Sequence, residues 1–171
     1  MKNKILLFIV TIIIVLGIVI FFLLGRKEAN FKLEDDYVIT YSYGGGYGTY
    51  IDTVTRYIEL DNDGNVLIYA YINGEKEIKE YHVNDSRIDD LATEMVHGKF
   101  SRLNSDISND DCLEAGSASL SIKTKNFEKS VYNYCKYNET FNDAENEFMD
   151  IVDRDKVYNF DEYIRNKYEE Y

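Results

Sequence analysis

Two cysteines and two histidines are the residues of this chain with the most distinctive chemistry. A cysteine hydrolase needs a thiolate beside an imidazole, and a zinc site needs three or four ligands. Cys112, Cys135, His82 and His97 show neither the Cys-x-x-Cys nor the His-x-x-x-His spacing of a zinc site. His82 fits a strand pattern and His97 ends a helical one, so structural or surface roles suit both. We predict no catalytic residue, no metal and no cofactor.

A predicted hairpin brings the two cysteines together. Residues 117–123 alternate strictly between polar and apolar, and residues 127–137 read as their partner strand. A turn at the Lys-Asn pair between them sets Cys135 opposite position 116, and Cys112 lies only a few residues upstream. Cysteines held close outside the cytoplasm usually join. We therefore predict a Cys112–Cys135 disulfide, and two free buried thiols are the alternative.

Tyrosine is the one enriched residue type with a functional interpretation, since the chain has 16 of them and no tryptophan. Four surround a run of three glycines, namely Tyr41, Tyr43, Tyr47 and Tyr50. A tyrosine ring offers a large rigid contact surface with a polar tip, which suits the binding of sugars or proteins. We predict a binding surface at these four rings. A tyrosine-rich, half-buried sheet is the alternative.

An apolar run at the start of the chain sets the location of all these residues. Residues 5–24 carry no charge, and only one threonine and one glycine interrupt them. A helix of about 20 apolar residues spans the hydrocarbon core of a bilayer. The alternative is a cleaved signal peptide, which has a shorter apolar region and a small-residue cleavage site. We predict a tail at 1–4, a transmembrane helix at 5–24, a linker at 25–36 and one domain at 37–171.

The charge of the chain limits its partners. The net charge is −12, and all 31 acidic residues follow the apolar run. This charge repels nucleic acid and anionic lipid headgroups, so we predict no nucleic-acid partner. Lysine and arginine counts slightly favour the far side of the span as cytoplasmic. The four-residue tail and the cysteine pair favour the opposite orientation, so we predict a single-pass protein of the cell membrane with its domain outside the cytoplasm.

Hydrophobic periodicity predicts the elements of the domain at 37–171. A period of two marks four strands joined by turns that include Asp-Gly and Asn-Gly pairs, and later a two-strand hairpin. A helical period marks one helix between these groups and two helices at the end. The predicted strands are Tyr37–Tyr43, Thr53–Leu60, Val66–Ile72, Ile78–Val83, Ser117–Lys123 and Phe127–Tyr137, and the predicted helices carry Ile88–Val96, Phe141–Val152 and Phe160–Tyr171. The order β4-α-β2-α-α, in which numerals count strands, predicts an α+β domain with helices packed on an antiparallel sheet.

The segment that begins with Tyr-Ser-Tyr-Gly-Gly-Gly-Tyr-Gly at residues 41–48 continues with a strand meander, a capped helix and a cysteine-flanked hairpin. In this arrangement residues 38–152 resemble the small outer domains of uncharacterised Gram-positive bacterial membrane-anchored proteins. The resemblance implies an α+β outer domain and no particular activity.

These observations predict a non-enzymatic, membrane-tethered extracytoplasmic domain that binds a protein or a cell-envelope component. A structural subunit of a larger membrane complex is one alternative, and a cell-envelope hydrolase is the other. The hydrolase would require a pocket that joins His82 or His97 to carboxylates. The sequence makes no prediction of the oligomeric state.

Overall fold

The described part of the chain is organised around an antiparallel sheet. The computed structural model describes residues 33, 36–45, 50–109 and 116–168, with the backbone only at 50 and 51. The chain divides into two units, Met1–Lys32 and Leu33–Tyr171, and the described residues belong to the second. The strands among them are β1 Tyr37–Gly44, β2 Arg56–Asp61, β3 Asn65–Ile72, β4 Glu75–His82, β5 Ser117–Thr124 and β6 Glu128–Tyr134. Their order across the sheet is β4-β3-β2-β1-β5-β6, so β1 lies between β2 and β5.

The longer helices lie between the two strand groups and after the last strand. The longer helices of the described residues are α1 Ile88–His97, α2 Glu139–Ile151 and α3 Arg154–Tyr168. A helical turn at Tyr50–Thr53 precedes β2, and a 3-10 turn at Phe100–Arg102 follows α1. The start of α2 is fixed by its N-cap Asn138, whose side chain accepts a hydrogen bond from the amide of Phe141 at 3.0 Å.

The turn between β2 and β3 forms where the Asp-Gly pair predicts it. The Asp61 carboxylate accepts hydrogen bonds from the backbone N–H groups of Asp63 at 3.0 Å and Asn65 at 2.8 Å. Gly64 has a φ of +85°, and a Cβ at this position would lie 2.2 Å from the carbonyl oxygen of Val83. Glycine is therefore required for both its conformation and its size.

The core lies between one face of the sheet and the helices. Alternate strand residues such as Ile39 and Ile58 face it and are fully buried. The helices contribute one apolar face each, including Phe148 of α2 and Phe160 of α3. The predicted fold class is confirmed: the domain is α+β, with its helices packed on an antiparallel sheet.

The segment before β5 contains backbone pairing that periodicity does not predict. Residues 103–116 read as a polar loop, but residues 105–109 run beside β6. The N–H of Ile107 donates to the carbonyl oxygen of Tyr132 at 3.0 Å, and the N–H of Asn109 donates to that of Tyr134 at 2.9 Å. Asp106 and Tyr132 form a parallel bridge. Main-chain groups make these bonds, so side-chain pattern gives no signal for them.

The predicted membrane segment cannot be compared with this fold. The tail 1–4, the transmembrane helix 5–24 and most of the linker 25–36 lie outside the described residues. Within the described ranges, no helix has both the length and the apolar character needed to cross a bilayer. The membrane span therefore stays a prediction.

Candidate binding pocket

The helix-facing side of β1 carries a row of tyrosines. Because strand side chains alternate, Tyr37, Tyr41 and Tyr43 all point towards the helices. Each hydroxyl donates a hydrogen bond to a carboxylate on a different helix. The pairs are Tyr37–Asp89 with α1 at 2.7 Å, Tyr41–Glu145 with α2, and Tyr43–Asp161 with α3 at 2.8 Å. The central strand is thus tied to the helical layer by three hydrogen bonds to charged acceptors, which are stronger than neutral ones.

A pocket opens where this row of tyrosines reaches the end of β1. Its volume is about 400 Å³. The end of β1 and the start of β5 form its base, and side chains of α2 and α3 line its sides. Its described lining includes the charged residues Asp52, Arg56, Glu145, Asp161 and Arg165, and the rings of Tyr41 and Tyr43.

Arg56 is the buried charged residue of the described chain, with 5% of its surface exposed. Its Nε donates to Oδ1 of Asp161 at 3.0 Å, and its Nη1 donates to the carbonyl oxygen of Val54. A guanidinium removed from water must be paired in this way, because an unpaired buried charge is strongly unfavourable. Asp161 also accepts the hydroxyl of Tyr43, so one carboxylate joins β1, β2 and α3.

The other charges of the pocket are arranged in two ways. Arg165 of α3 forms an ion pair with Asp52 at 3.0 Å, and both side chains are partly exposed. Glu145 of α2 accepts the hydroxyl of Tyr41 but forms no ion pair with a described cation. Arg154, which also acts electrostatically on Tyr41, pairs with Asp150 at 3.1 Å.

The tyrosines of the pocket remain protonated. Burial raises the pKa of Tyr41 far above its ordinary value of 10.0, and the nearby Glu145 carboxylate adds to the shift. Burial raises the pKa of Tyr43 in the same way, with Asp161 as the second cause. Both phenols are therefore hydrogen-bond donors at neutral pH. A phenolate nucleophile is disfavoured at this site.

Gly44 allows the strand end to pack closely at the base of the pocket. A Cβ on Gly44 would lie 2.9 Å from the Cα of Thr55 and 3.0 Å from the carbonyl oxygen of Val54. Both neighbours are backbone atoms, which cannot move aside cheaply. A larger residue at position 44 would therefore displace the segment that leads into Arg56.

The structure alters the predicted tyrosine surface. Tyr41 is buried, with 6% exposure, and Tyr43 is half-buried against the core. The prediction that the Tyr41 ring lies on a surface is therefore wrong. Side chains alternate along β1, and this alternation turns the ring towards α2. Tyr47 lies outside the described residues, as does the side chain of Tyr50. The structure does bring Tyr41 and Tyr43 together, with ring centroids 5.5 Å apart.

Of the two cysteines in the predicted disulfide, the structure describes Cys135. No cysteine among the described residues is free, and Cys135 directly follows β6. Cys112 lies outside the described residues. The predicted hairpin register is confirmed, because Ser117 pairs with Tyr134 and thus sets Cys135 opposite position 116. The disulfide itself stays a prediction.

The histidines lie apart from the pocket. His97 ends α1, and His82 lines a groove of about 590 Å³ that also contains Glu59, Asp61 and Glu80. This groove does bring a histidine near carboxylates, as the hydrolase hypothesis requires. Within the described chain, however, no hydrogen bond or ion pair joins His82 to these carboxylates. The histidine therefore lacks the carboxylate contact that would orient it as a general base. Within the same ranges, no group of three His, Cys, Asp or Glu residues is arranged to hold a metal ion.

Sequence reasoning missed the charged members of the pocket. Arg56 carried a signal, because it occupies the inward position of the pattern Arg56, Ile58, Leu60, where an apolar residue is expected. Glu145 and Asp161 carried none, since carboxylates on the polar side of an amphipathic helix are usual. Their proximity to β1 depends on how α2 and α3 cross the sheet.

Comparison with known proteins adds no further information on this pocket, because the sequence matches no protein-family model and no curated protein.

Proposed function

We propose that this chain is a membrane-tethered, non-enzymatic binding domain of the extracytoplasmic side, and that its ligand occupies the pocket beside Tyr41 and Tyr43. The observation that carries the proposal is the pocket itself. It combines apolar rings with fixed charges in about 400 Å³, the size range of small-ligand sites. The ligand is a cell-envelope component or an exposed group of a protein.

The chemistry of the lining supports binding over catalysis. Its phenols are donors held by carboxylates, and Arg56 and Arg165 are held by Asp161 and Asp52. Such groups are well suited to orient a ligand, because their own positions are fixed. Among the residues that the structure describes, the lining contains no cysteine or histidine that would activate a nucleophile.

Partner capture from detergent-solubilised membranes tests the role of the pocket. Ala118 lines the pocket from β5, so Ala118→Phe should fill it, whereas Ser119→Phe places the same ring on the opposite face of the same strand. We expect the wild type and Ser119→Phe to capture the same component and Ala118→Phe to lose it. Equal capture by all three forms would refute the pocket as the binding site.

A folding control is needed, because Ala118→Phe could disturb the core. The thermal midpoint of each form should be measured first. If Ala118→Phe fails to fold, Ala118→Leu replaces it, since a leucine still narrows the pocket and displaces less of the core. Loss of capture by a folded Ala118→Leu form supports the pocket, and full capture contradicts it.

The membrane tether is proposed from residues 5–24. Their length and lack of charge predict that the 20.0 kDa chain resists extraction by alkaline carbonate. Protease added to cells whose wall has been removed should digest the domain, because we place it outside. Recovery of a soluble product without residues 1–25 would refute the tether, and complete protection from protease would reverse the orientation.

Two observations support the proposed Cys112–Cys135 disulfide: the hairpin register, and the backbone pairing of the residues on either side of Cys112. Asn109 donates to the carbonyl oxygen of Tyr134, and Ser117 pairs with the same residue. Both described ends of the segment that contains Cys112 therefore lie beside the neighbour of Cys135. Thiol labelling of denatured, unreduced protein should find no free thiol, and Cys135→Ser should lower the free energy of unfolding by about 2–4 kcal/mol. Two labelled thiols would contradict the bridge.

A further inference from the structure

The ligand chemistry of the pocket follows from its charges. Resting on the proposed function, we propose that the pocket beside Tyr41 binds its ligand through a primary ammonium group, and that Glu145 is the counter-charge. The ligand is thus an amine, whether free or the end of a larger molecule.

Charge pairing within the pocket leaves one carboxylate uncompensated. Asp161 is neutralised by Arg56 at 3.0 Å, and Asp52 is neutralised by Arg165 at 3.0 Å. The remaining carboxylate in the lining is Glu145, which has no ion pair with a described cation. Among the described lining residues, three carboxylates and two guanidiniums therefore leave one excess negative charge.

Glu145 retains hydrogen-bonding capacity for a ligand. An ionised carboxylate offers about four acceptor sites, and the hydroxyl of Tyr41 uses one of them. Glu145 is half-buried at the side of the pocket, so a charge bound there is only partly screened by water. An ammonium group has three donors and no acceptor, so it can satisfy this carboxylate without a competing lone pair.

The two guanidiniums argue against an anionic ligand. Each already binds a carboxylate, so an incoming anion would have to displace Asp161 from Arg56 or Asp52 from Arg165. Displacement at Arg56 is the more costly, because that side chain is buried. The net charge of −12 over the whole chain also lowers the local concentration of anions and raises that of cations.

The aromatic lining accommodates the carbon chain of an amine. The rings of Tyr41 and Tyr43 are stacked with centroids 5.5 Å apart, and Tyr41 packs on Phe148 at 5.9 Å. The rings of Tyr41 and Tyr43 give the pocket an apolar wall beside its charged one, and Phe148 supports the Tyr41 ring from the core. A short alkyl chain that ends in an ammonium group matches both walls.

Fragment binding to the full-length chain in nanodiscs tests the assignment. The probes are n-butylammonium, butyrate and n-butanol, which share a four-carbon chain and differ in charge. Binding is followed through the amide resonances of Tyr43, Gly44 and Ala118, which line or border the pocket. We expect saturable shifts with butylammonium in the millimolar range and no saturable shifts with butyrate or butanol.

Two variants on one helix make the test specific. Glu145→Gln removes the proposed counter-charge and should weaken butylammonium binding at least about ten-fold, as expected when a charged hydrogen-bond acceptor is lost. Glu147→Gln is the matched control, since it removes the same charge from α2 but lines the groove between α1 and α2. Its affinity for butylammonium should equal that of the wild type.

The outcomes separate the ligand class from the proposed function. Equal butylammonium binding by the wild type and Glu145→Gln would overturn the role of Glu145. Binding of butyrate or butanol in place of butylammonium would overturn the ammonium assignment and leave the pocket as a binding site. If no probe binds, the ammonium assignment fails, and capture by Ala118→Phe then decides whether the proposed function fails with it.

Discussion

The two faces of the sheet use tyrosine in different ways. On the helix-covered face, Tyr37, Tyr41 and Tyr43 each donate their hydroxyl to a helix carboxylate. On the opposite face, Tyr57 and Tyr69 stack ring on ring with centroids 5.0 Å apart, and Tyr71 meets the Tyr69 ring edge-on at 5.9 Å. Tyr71 is 56% exposed, so water satisfies a hydroxyl there without a partner.

The difference shows how burial determines what one residue type contributes. A buried hydroxyl must find a hydrogen-bond partner, so each covered tyrosine specifies the position of one helix relative to the sheet. On the open face, the hydroxyl of Tyr69 donates to Glu59 of the neighbouring strand at 2.9 Å and fixes no helix, and the exposed Tyr71 contributes mainly ring contact, which tolerates many arrangements. Substitutions on the covered face should therefore have large, position-specific effects, and those on the open face should have small ones.

The largest effect is expected from Tyr41→Ala. This change empties a buried aromatic site and should lower the free energy of unfolding by roughly 3–5 kcal/mol. Urea unfolding followed by circular dichroism measures the loss. Tyr71→Ala is the control on the open face and should change stability by no more than about 0.5 kcal/mol. Similar losses for the two variants would abolish the distinction between the faces.

A smaller effect is expected when only a hydroxyl is removed. Tyr43→Phe keeps the ring but leaves Asp161 with one donor fewer, and should destabilise by about 1–3 kcal/mol. Tyr71→Phe, whose ring is exposed, should leave the urea midpoint unchanged. A midpoint for Tyr43→Phe equal to that of the wild type would show that the hydroxyl does not hold α3.

Acid sensitivity should arise at Glu77, where a strand supplies the carboxylate and a helix supplies the hydrogen-bond donors. Glu77 of β4 accepts hydrogen bonds from Lys167, Tyr168 and Tyr163 of α3 at 2.6, 2.6 and 2.9 Å. These bonds lower the pKa of Glu77 from 4.5 to about 2. Because the folded pKa is depressed, the stabilisation is complete above pH 4.5 and is lost as the pH falls towards 2.

Glu77→Gln measures this contribution. We expect the variant to be less stable than the wild type at neutral pH, and the difference to shrink below pH 4.5, where Glu77 becomes protonated in the unfolded chain. The effect should be modest and weaker at high salt, since Lys167 is 43% exposed. A difference that stays constant from pH 7 to about pH 2 would contradict the link between charge and stability.

The smallest effect is expected at a cation on the open face. The Lys76 ammonium lies 4.0 Å from the centroid of the Tyr69 ring. Lys76→Met keeps most of the side-chain volume and removes the charge, so it should cost about 0.5–1 kcal/mol at this exposed site. Lys125→Met, in the exposed turn between β5 and β6, should cost less. An equal effect of the two changes would show that the ring contact adds nothing.

Most of the strands and helices could be predicted, because the apolar residues within each of them recur at the period of that element. The Asp-Gly and Asn-Gly turns appear where they are predicted, and so do β2 and β3 on either side of the first turn. The start of α3 was missed, since its first turns at residues 154–159 are mostly polar. The meander and the hairpin were predicted, but the pairing of β5 with β1 that joins them was not, because pairing between distant segments leaves no local pattern.

The pocket was less predictable than the fold. Tyr41 and Tyr43 were identified from their type and their neighbouring glycines, yet they face the core because of strand alternation. Their partners Glu145 and Asp161 lie 104 and 118 positions away along the chain. Only the packing of α2 and α3 on the sheet brings them to β1, and single-sequence patterns do not specify that packing.

The central place of β1 has a consequence for the order of events during synthesis. β1 is made before β2, β3 and β4, but its second neighbour β5 comes much later, and the contacting residues Thr40 and Ser121 are 81 positions apart. Until β5 arrives, one edge of β1 has no pairing strand and remains open to other chains. Closing so distant a pair is slow, since the entropy of a long loop must be lost first. During this period β1, which lies inside the finished sheet, is an edge strand.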